Sequence, residues 1–263
     1  MTMRDPWSVL TDKQRVVARA FLAVRDTERT HLVIYLSGAH AYGFPSPDSD
    51  LDLKCVHIAP TRALVGLVPP AESTGDRIEV IDGVELDYGS NELGSVLRGA
   101  TKGNGNFLER ILGELVLGGS ELLASARDVV KPLLSRRCAR HYGGFATSQL
   151  KAYDEKPTAK RALYVLRTAA TGQCVMARGE IVTDVAQLAD FVPRQIAELI
   201  EIKQQGERVQ LDASQVSAWR ERLVAAIAAV DASSATSVLP EEPSDAAIAD
   251  VEAWLREVRR ANW

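Results

Sequence analysis

Cysteine is scarce in this chain and badly spaced for chemistry. Cys55, Cys138 and Cys174 are odd in number, far apart and without C-x-x-C spacing. That argues against a disulfide framework and against a zinc site. Long apolar runs are missing too: nothing approaches the roughly 18 residues of a membrane span. The opening "MTMRDPWSVLTDKQ" has no apolar secretion segment. A reduced, cytoplasmic protein with no membrane partner is expected. There is no long basic run, and the net charge is −4. A protein that coats a duplex would be more positive, because phosphate neutralisation dominates such affinity. A nucleic acid held in a local groove stays open. What is present suits a soluble globular protein, with 263 residues for one large domain or two modest ones.

Helical and strand periods divide the chain unequally. "TDKQ" reads as a capping box with Thr11 as N-cap and Gln14 three residues on, opening a helix to about residue 24. The β-branched run "HLVIYL" (31–36) reads as a buried strand. Gly38 to Tyr42 fits a short helix, "FPSPDS" a loop, and "LDLKCVHI" the next strand. "RIEVIDGVELDYG" holds two strands about Asp82-Gly83, a strong hairpin signal. Beyond Ser90, "NELGSVLRGATK", "NFLERILGELVL", "SELLASARDVVKPLLS" and "PTAKRALYVLRTAATGQCVMA" have helical periodicity, and no further strand is expected. Pro157 falls near a helix start, where a missing N–H costs little. "GERVQL" reads as a loop, and "VLPEEPSD" (238–245) as a linker before an amphipathic helix, 246–260. The expectation is an α+β fold: a mixed part over 1–118 and an all-helical part over 119–263.

The chemistry concentrates in "SPDSDLDLK". Residues two apart on a strand share a face about 6–7 Å apart, so Asp50 and Asp52 project side by side. Such a pair is costly unless neutralised, and Mg²⁺ prefers carboxylate, water and phosphate oxygens. The hairpin offers a third carboxylate, because Glu85 and Asp87 share a face of "VELDYG". Three carboxylates on neighbouring strands can hold two metals about 3.5–4 Å apart. Gly38, after a buried strand, marks a turn where backbone N–H groups approach a phosphate. By itself "SPDSD" is also a good turn sequence whose aspartates satisfy loop backbone.

The stretch "SGAHAYGFPSPDSDLDL" resembles the G-S-x-A-y-G-x…S-D-x-D signature of the DNA polymerase β nucleotidyltransferase superfamily. Within it the chain is similar to the YcgL/RlaP-type predicted nucleotidyltransferases, the latter associated with RNA ligase. Phe44 to Pro47 match the family's Phe-Pro-Ser-Pro. Asp87 in "DYGSNE" matches the third carboxylate, in preference to Glu85. Asn104 and Glu109 in "GNGNFLERI", and Lys160 and Arg167 in "KRALYVLR", match later, weaker blocks. The resemblance covers roughly residues 30 to 170. It implies a short mixed sheet with flanking helices, and a helical region closing over the nucleotide. It also implies NMP transfer from an NTP with two Mg²⁺ ions, with Asp50, Asp52 and Asp87 as metal ligands and catalytic residues. The family's Gly-Ser reads Gly38-Ala39 here, which removes one hydrogen bond to phosphate worth roughly 1.5–3 kcal/mol. Ser37 and His40 flank the turn and are the candidates to replace it.

Lys160 and Arg167 are seven apart with Tyr164 between them, on one helix face. They can reach triphosphate oxygens, or form a solvated basic stripe. Asn104 can contact nucleotide, although capping the helix that follows is the simpler role, and Glu109 reads as a packing partner. Acceptors compatible with this chemistry are an RNA 3′ end, a protein hydroxyl or a small molecule. A non-catalytic, antitoxin-like nucleotide-binding module is the alternative that Ala39 supports. A phosphohydrolase or nuclease would use the same carboxylates.

Overall fold

Thr11 opens the first helix by a reciprocal capping box. Its Oγ1 accepts from Gln14 N at 3.2 Å, while Gln14 Oε1 accepts from Thr11 N at 3.1 Å. Helix α1 (Asp12–Glu28) runs four residues past the sequence expectation and buries Val17, Phe21 and Leu22. The computed structural model describes residues 5–75, 77–206 and 209–263, with Arg77 described by its backbone alone. Residues 1–4 of the opening segment, and 207–208 of the expected "GERVQL" loop, lie outside the described residues.

The chain continues through β1 (Thr30–Leu36), α2 (Gly38–Tyr42), β2 (Leu51–Ile58), α3 (Thr61–Leu64), β3 (Arg77–Ile81) and β4 (Val84–Glu92). It goes on through α4 (Leu93–Thr101), α5 (Gly105–Leu112), β5 (Val116–Gly119) and α6 (Leu122–Val130). The remaining helices are α7 (Arg137–Glu155), α8 (Ala159–Arg178), α9 (Ile196–Gln204), α10 (Ala213–Ala235) and α11 (Asp245–Ala261). Among the described residues the strands form one sheet in the order β3-β4-β2-β1-β5. Among the described strands the β2–β4 pairing alone is parallel, so the sheet is mixed and the fold α+β, as expected.

Strand β5 corrects the expectation that no strand follows Ser90. Helical periodicity in "NFLERILGELVL" ends at Gly113, whose extended backbone (φ −66°, ψ 161°) stops α5. Residues 116–119 then pair with the free edge of β1. There Gly119 lies so close to Leu32 that a Cβ would overlap the Leu32 carbonyl oxygen. Tertiary pairing outweighs local helix preference over these four residues. The expected boundary between 118 and 119 accordingly falls inside a strand.

The two sheet faces have different covers. Ile34, Leu36, Leu51, Leu53, Leu86 and Tyr88 pack with α1 residues on one face. On the other, Val33, Tyr35, Val56 and Ile58 join a larger core with residues of α4, α5, α7, α8 and α10. Side chains of β2 and β4 that point to this second face are therefore turned toward the helical part of the chain.

Candidate active site

Asp52 lies on β2 and Asp87 on β4, and because the strands run parallel the two residues are register partners. Partners across a sheet point to one face, here the helical one. Asp50 stands just before β2, and Lys54, two residues beyond Asp52, continues that face. Lys54 Nζ donates to Asp87 Oδ1 at 2.9 Å, with both side chains largely covered. The Asp52 carboxyl is pushed up to about 6, first by burial and then by the charge of Asp87. Asp50 pushes the same way, while Lys54 and Lys160 work against it. The crowding seen in the sequence is real, and two ammonium groups partly relieve it. Glu85, the other hairpin candidate, is exposed at the β3 side, opposite Val80.

The three aspartates share a field without forming an enclosure. Among the described residues no three His, Cys, Asp or Glu side chains are gathered tightly enough to hold a metal ion. Like charges hold one another apart, and the Lys54 ammonium engages Asp87 instead. Asp52 still fits a divalent cation chemically: beyond the burial that chiefly raises its pKa, the charges of Asp87 and Asp50 act on it, and a cation would offset them.

The glycine turn is bound to the same strand. Ser37 N donates to Asp52 O at 2.9 Å, tying the entry of α2 to β2. Gly38 takes φ +67°, where a side chain costs roughly 1–2 kcal/mol. A Cβ at Gly38 would also overlap Asp52 Oδ2. Glycine is thus required twice, by backbone and by space. Ser37 makes no side-chain capping bond to α2, and its hydroxyl meets that of Tyr42 at 3.2 Å. Ala39 and His40 differ from expectation: both are buried, and Ala39 packs in the main core. Ala39 therefore has only its backbone N–H to offer a phosphate, and the His40 side chain is covered like the rest of the short helix.

Helix α8 sets Lys160, Tyr164 and Arg167 along one face, as their spacing predicts, but divides their roles. Lys160 Nζ lies 5.8 Å from the Tyr164 ring centroid, and its charge acts on Asp52. Tyr164 packs edge-on against Tyr42 at 5.5 Å and Phe44 at 5.9 Å. Arg167 is 1% exposed and donates to Glu109 Oε1 at 2.8 Å. Its guanidinium also lies 3.7 Å from the Tyr42 ring centroid. Burial, the largest single influence, opposes its charge, but the Glu109 carboxylate together with Tyr42, Tyr142 and Tyr35 raises its pKa on balance. Arg167 is therefore a correction: it braces the floor below α2 and is not presented to a triphosphate. Glu109 is the packing partner that its sequence context suggested.

Asn104 is likewise a helix cap, its Oδ1 accepting from Phe107 N at 3.4 Å. It opens α5 about 13 Å of helix rise before Gly113, the residue packed against Tyr35.

Two residues outside the sequence expectation join the site. Lys54 completes the face Asp50-x-Asp52-x-Lys54, a period-2 pattern already present in the sequence. Lys203 of α9 is 0% exposed and donates to Ser46 Oγ at 2.5 Å and Ser49 Oγ at 2.9 Å. It clamps the "FPSPDSD" loop that delivers Asp50. No sequence signal marks it, because its partners lie more than 150 residues away. Cys55, Cys138 and Cys174 are buried and free, and no described helix is long and apolar enough to cross a membrane.

Comparison with known proteins bears on this arrangement. An uncharacterized protein of Methanocaldococcus jannaschii is 28% identical over 155 residues, 58% of this chain and 63% of that protein. The match thus spans less than two thirds of that relative's length. Among solved structures, a nucleotidyltransferase-like protein from Exiguobacterium sibiricum aligns over 92% of this chain and 78% of its own, at 9% identity and a TM-score of 0.33. Over residues 15–257 the chain matches the RlaP family, the RNA repair pathway DNA polymerase beta family, and it belongs to that family.

Proposed function

We propose that the chain is a cytoplasmic, Mg²⁺-dependent nucleotidyltransferase that moves an NMP from an NTP to a hydroxyl acceptor, the 3′ end of an RNA. The observation that carries this reading is the register pairing of Asp52 with Asp87 beside the Gly38 turn. Membership in an RNA repair family supports RNA as the acceptor class over a protein hydroxyl or a small molecule. Two Mg²⁺ ions on Asp50, Asp52 and Asp87 would supply Lewis acidity, lowering the acceptor's pKa and neutralising phosphate charge. The backbone N–H groups from Gly38 onward seat the phosphates, close to Asp52. Lys160 attracts the triphosphate from the α8 side as a point charge. The acceptor oxygen attacks the α-phosphorus while the bond to the bridging oxygen breaks, and pyrophosphate leaves. Asp87 takes the hydroxyl proton.

The Lys54–Asp87 ion pair favours one second reading, a module that binds nucleotide without turnover. Incubation with labelled NTP, Mg²⁺ and mixed RNA separates the two. Label in RNA, lost in Asp50→Ala, supports the transferase. Tight NTP binding with no pyrophosphate release supports the module.

A further inference from the structure

A cavity of about 910 Å³ lies where α4 ends, α7 begins and α10 finishes, and none of Asp50, Asp52 and Asp87 lines it. Lys102, Arg136, Arg137 and Arg140 line it. Three of these cations sit at the start of α7, whose first turn has no acidic residue and whose N-cap makes no side-chain bond. A helix N-terminus is the positive end of the dipole and favours anions. Arginines there raise the local potential further, an arrangement with no value to the helix itself. The residues 238–243 already answer it from within the chain. Glu242 forms an ion pair with Arg137. Arg136 N donates to Pro240 O at 2.9 Å, and its Nε to Leu239 O at 3.1 Å. Glu241 also lines the cavity. With the two linker glutamates set aside, Asp231 is the one acidic lining group among the described residues, beside four cations.

We infer that this groove binds the phosphodiester backbone of a single-stranded RNA, and that the Glu241-Glu242 linker occupies it in competition. RNA as the polyanion rests on the function proposed above; the anion site itself rests on the cations, the helix end and the glutamates seated there. A positive groove that tracks a strand's backbone is the ordinary means of sequence-tolerant single-strand binding. The −4 net charge of the chain would make such a local groove the principal grip on a polynucleotide.

The test is fluorescence anisotropy of a labelled single-stranded oligoribonucleotide with the full chain, without NTP or divalent cation, over a salt series. Lys102→Glu combined with Arg140→Glu is expected to weaken binding at least about tenfold. It should also flatten the log–log salt slope by about 1.4, at roughly 0.7 per phosphate contact on a single strand. Glu241→Gln with Glu242→Gln is expected to tighten binding severalfold, a gain that misfolding cannot produce. Asp52→Asn should bind RNA as the parent does while losing transfer, so failure of the catalytic reading shows separately. Unchanged affinity in the charge-reversed variant, or no gain from the glutamine pair, overturns the proposal. So does equal affinity for duplex DNA of the same length.

Discussion

Lys54 Nζ and Asp87 Oδ1 stand 2.9 Å apart on neighbouring parallel strands, so one lysine offsets the repulsion between Asp87 and its register partner Asp52. Replacing Lys54 with Gln should destabilise the fold by about 1–2 kcal/mol, between the worth of an exposed and of a buried ion pair. Millimolar Mg²⁺ should restore more of the lost Tm in Lys54→Gln than it adds to the parent. Thermal unfolding with and without Mg²⁺ measures both. An equal Mg²⁺ effect in the two proteins would remove Lys54 from the site.

Gly38 and Gly75 separate backbone strain from crowding. Both have positive φ, +67° and +70°, but a Cβ at Gly38 overlaps Asp52 Oδ2, whereas one at Gly75 meets nothing within 4 Å. Gly75→Ala should cost about 1 kcal/mol of backbone strain and leave transfer intact. Gly38→Ala should cost more and abolish transfer by displacing Asp52. Denaturant unfolding and a transfer assay on both variants check the difference.

Arg167 and Glu109 form an ion pair whose side chains are 2% and 4% exposed. Removing one partner leaves an uncompensated buried charge, so Arg167→Met or Glu109→Gln should each cost about 3–5 kcal/mol. Arg167→Met combined with Glu109→Leu should cost clearly less than the sum of the single changes. A double-mutant cycle by urea unfolding reads this coupling. Additive losses would mean that the pair is not a unit.

Two residues give stability opposite pH slopes in one window. The His57 pKa is pushed down to about 4, first by burial and then by Arg29, with its Nδ1 2.8 Å from Ser90 Oγ. Between pH 4 and 6.5 the unfolded chain binds a proton there that the native chain does not, so stability is lost as pH falls. Asp52 does the reverse: its pKa is raised to about 6, so the native state holds the extra proton and stability is lost as pH rises from about 4 to 6. His57→Gln should therefore flatten the acid-side fall in Tm. Asp52→Asn should raise Tm at pH 7.5 and leave it nearly unchanged at pH 4. Tm against pH for the parent and both variants tests the signs.

The parts of the fold legible from sequence were those that local patterns decide. The Thr11–Gln14 box, the Asp82-Gly83 hairpin and the strand alternation that puts Asp52 and Asp87 on one face are short-range signals, and each stands as read. Strand β5 was not legible, because its pairing with β1 is a tertiary event written over a helical pattern. Helical spacing correctly put Lys160 and Arg167 on one face, yet burial alone decides which of them is presented to a ligand, and spacing does not report depth. Lys203 was silent because its role exists only after α9 meets the 44–50 loop.

The most direct measurement is transfer of α-³²P label from an NTP to a 3′-hydroxyl RNA in the presence of Mg²⁺, comparing the parent with Asp52→Asn and Asp87→Asn. Label in RNA with equimolar pyrophosphate, absent from both variants, is the predicted result. No incorporation from any of the four NTPs, or incorporation that survives loss of either aspartate, would contradict it.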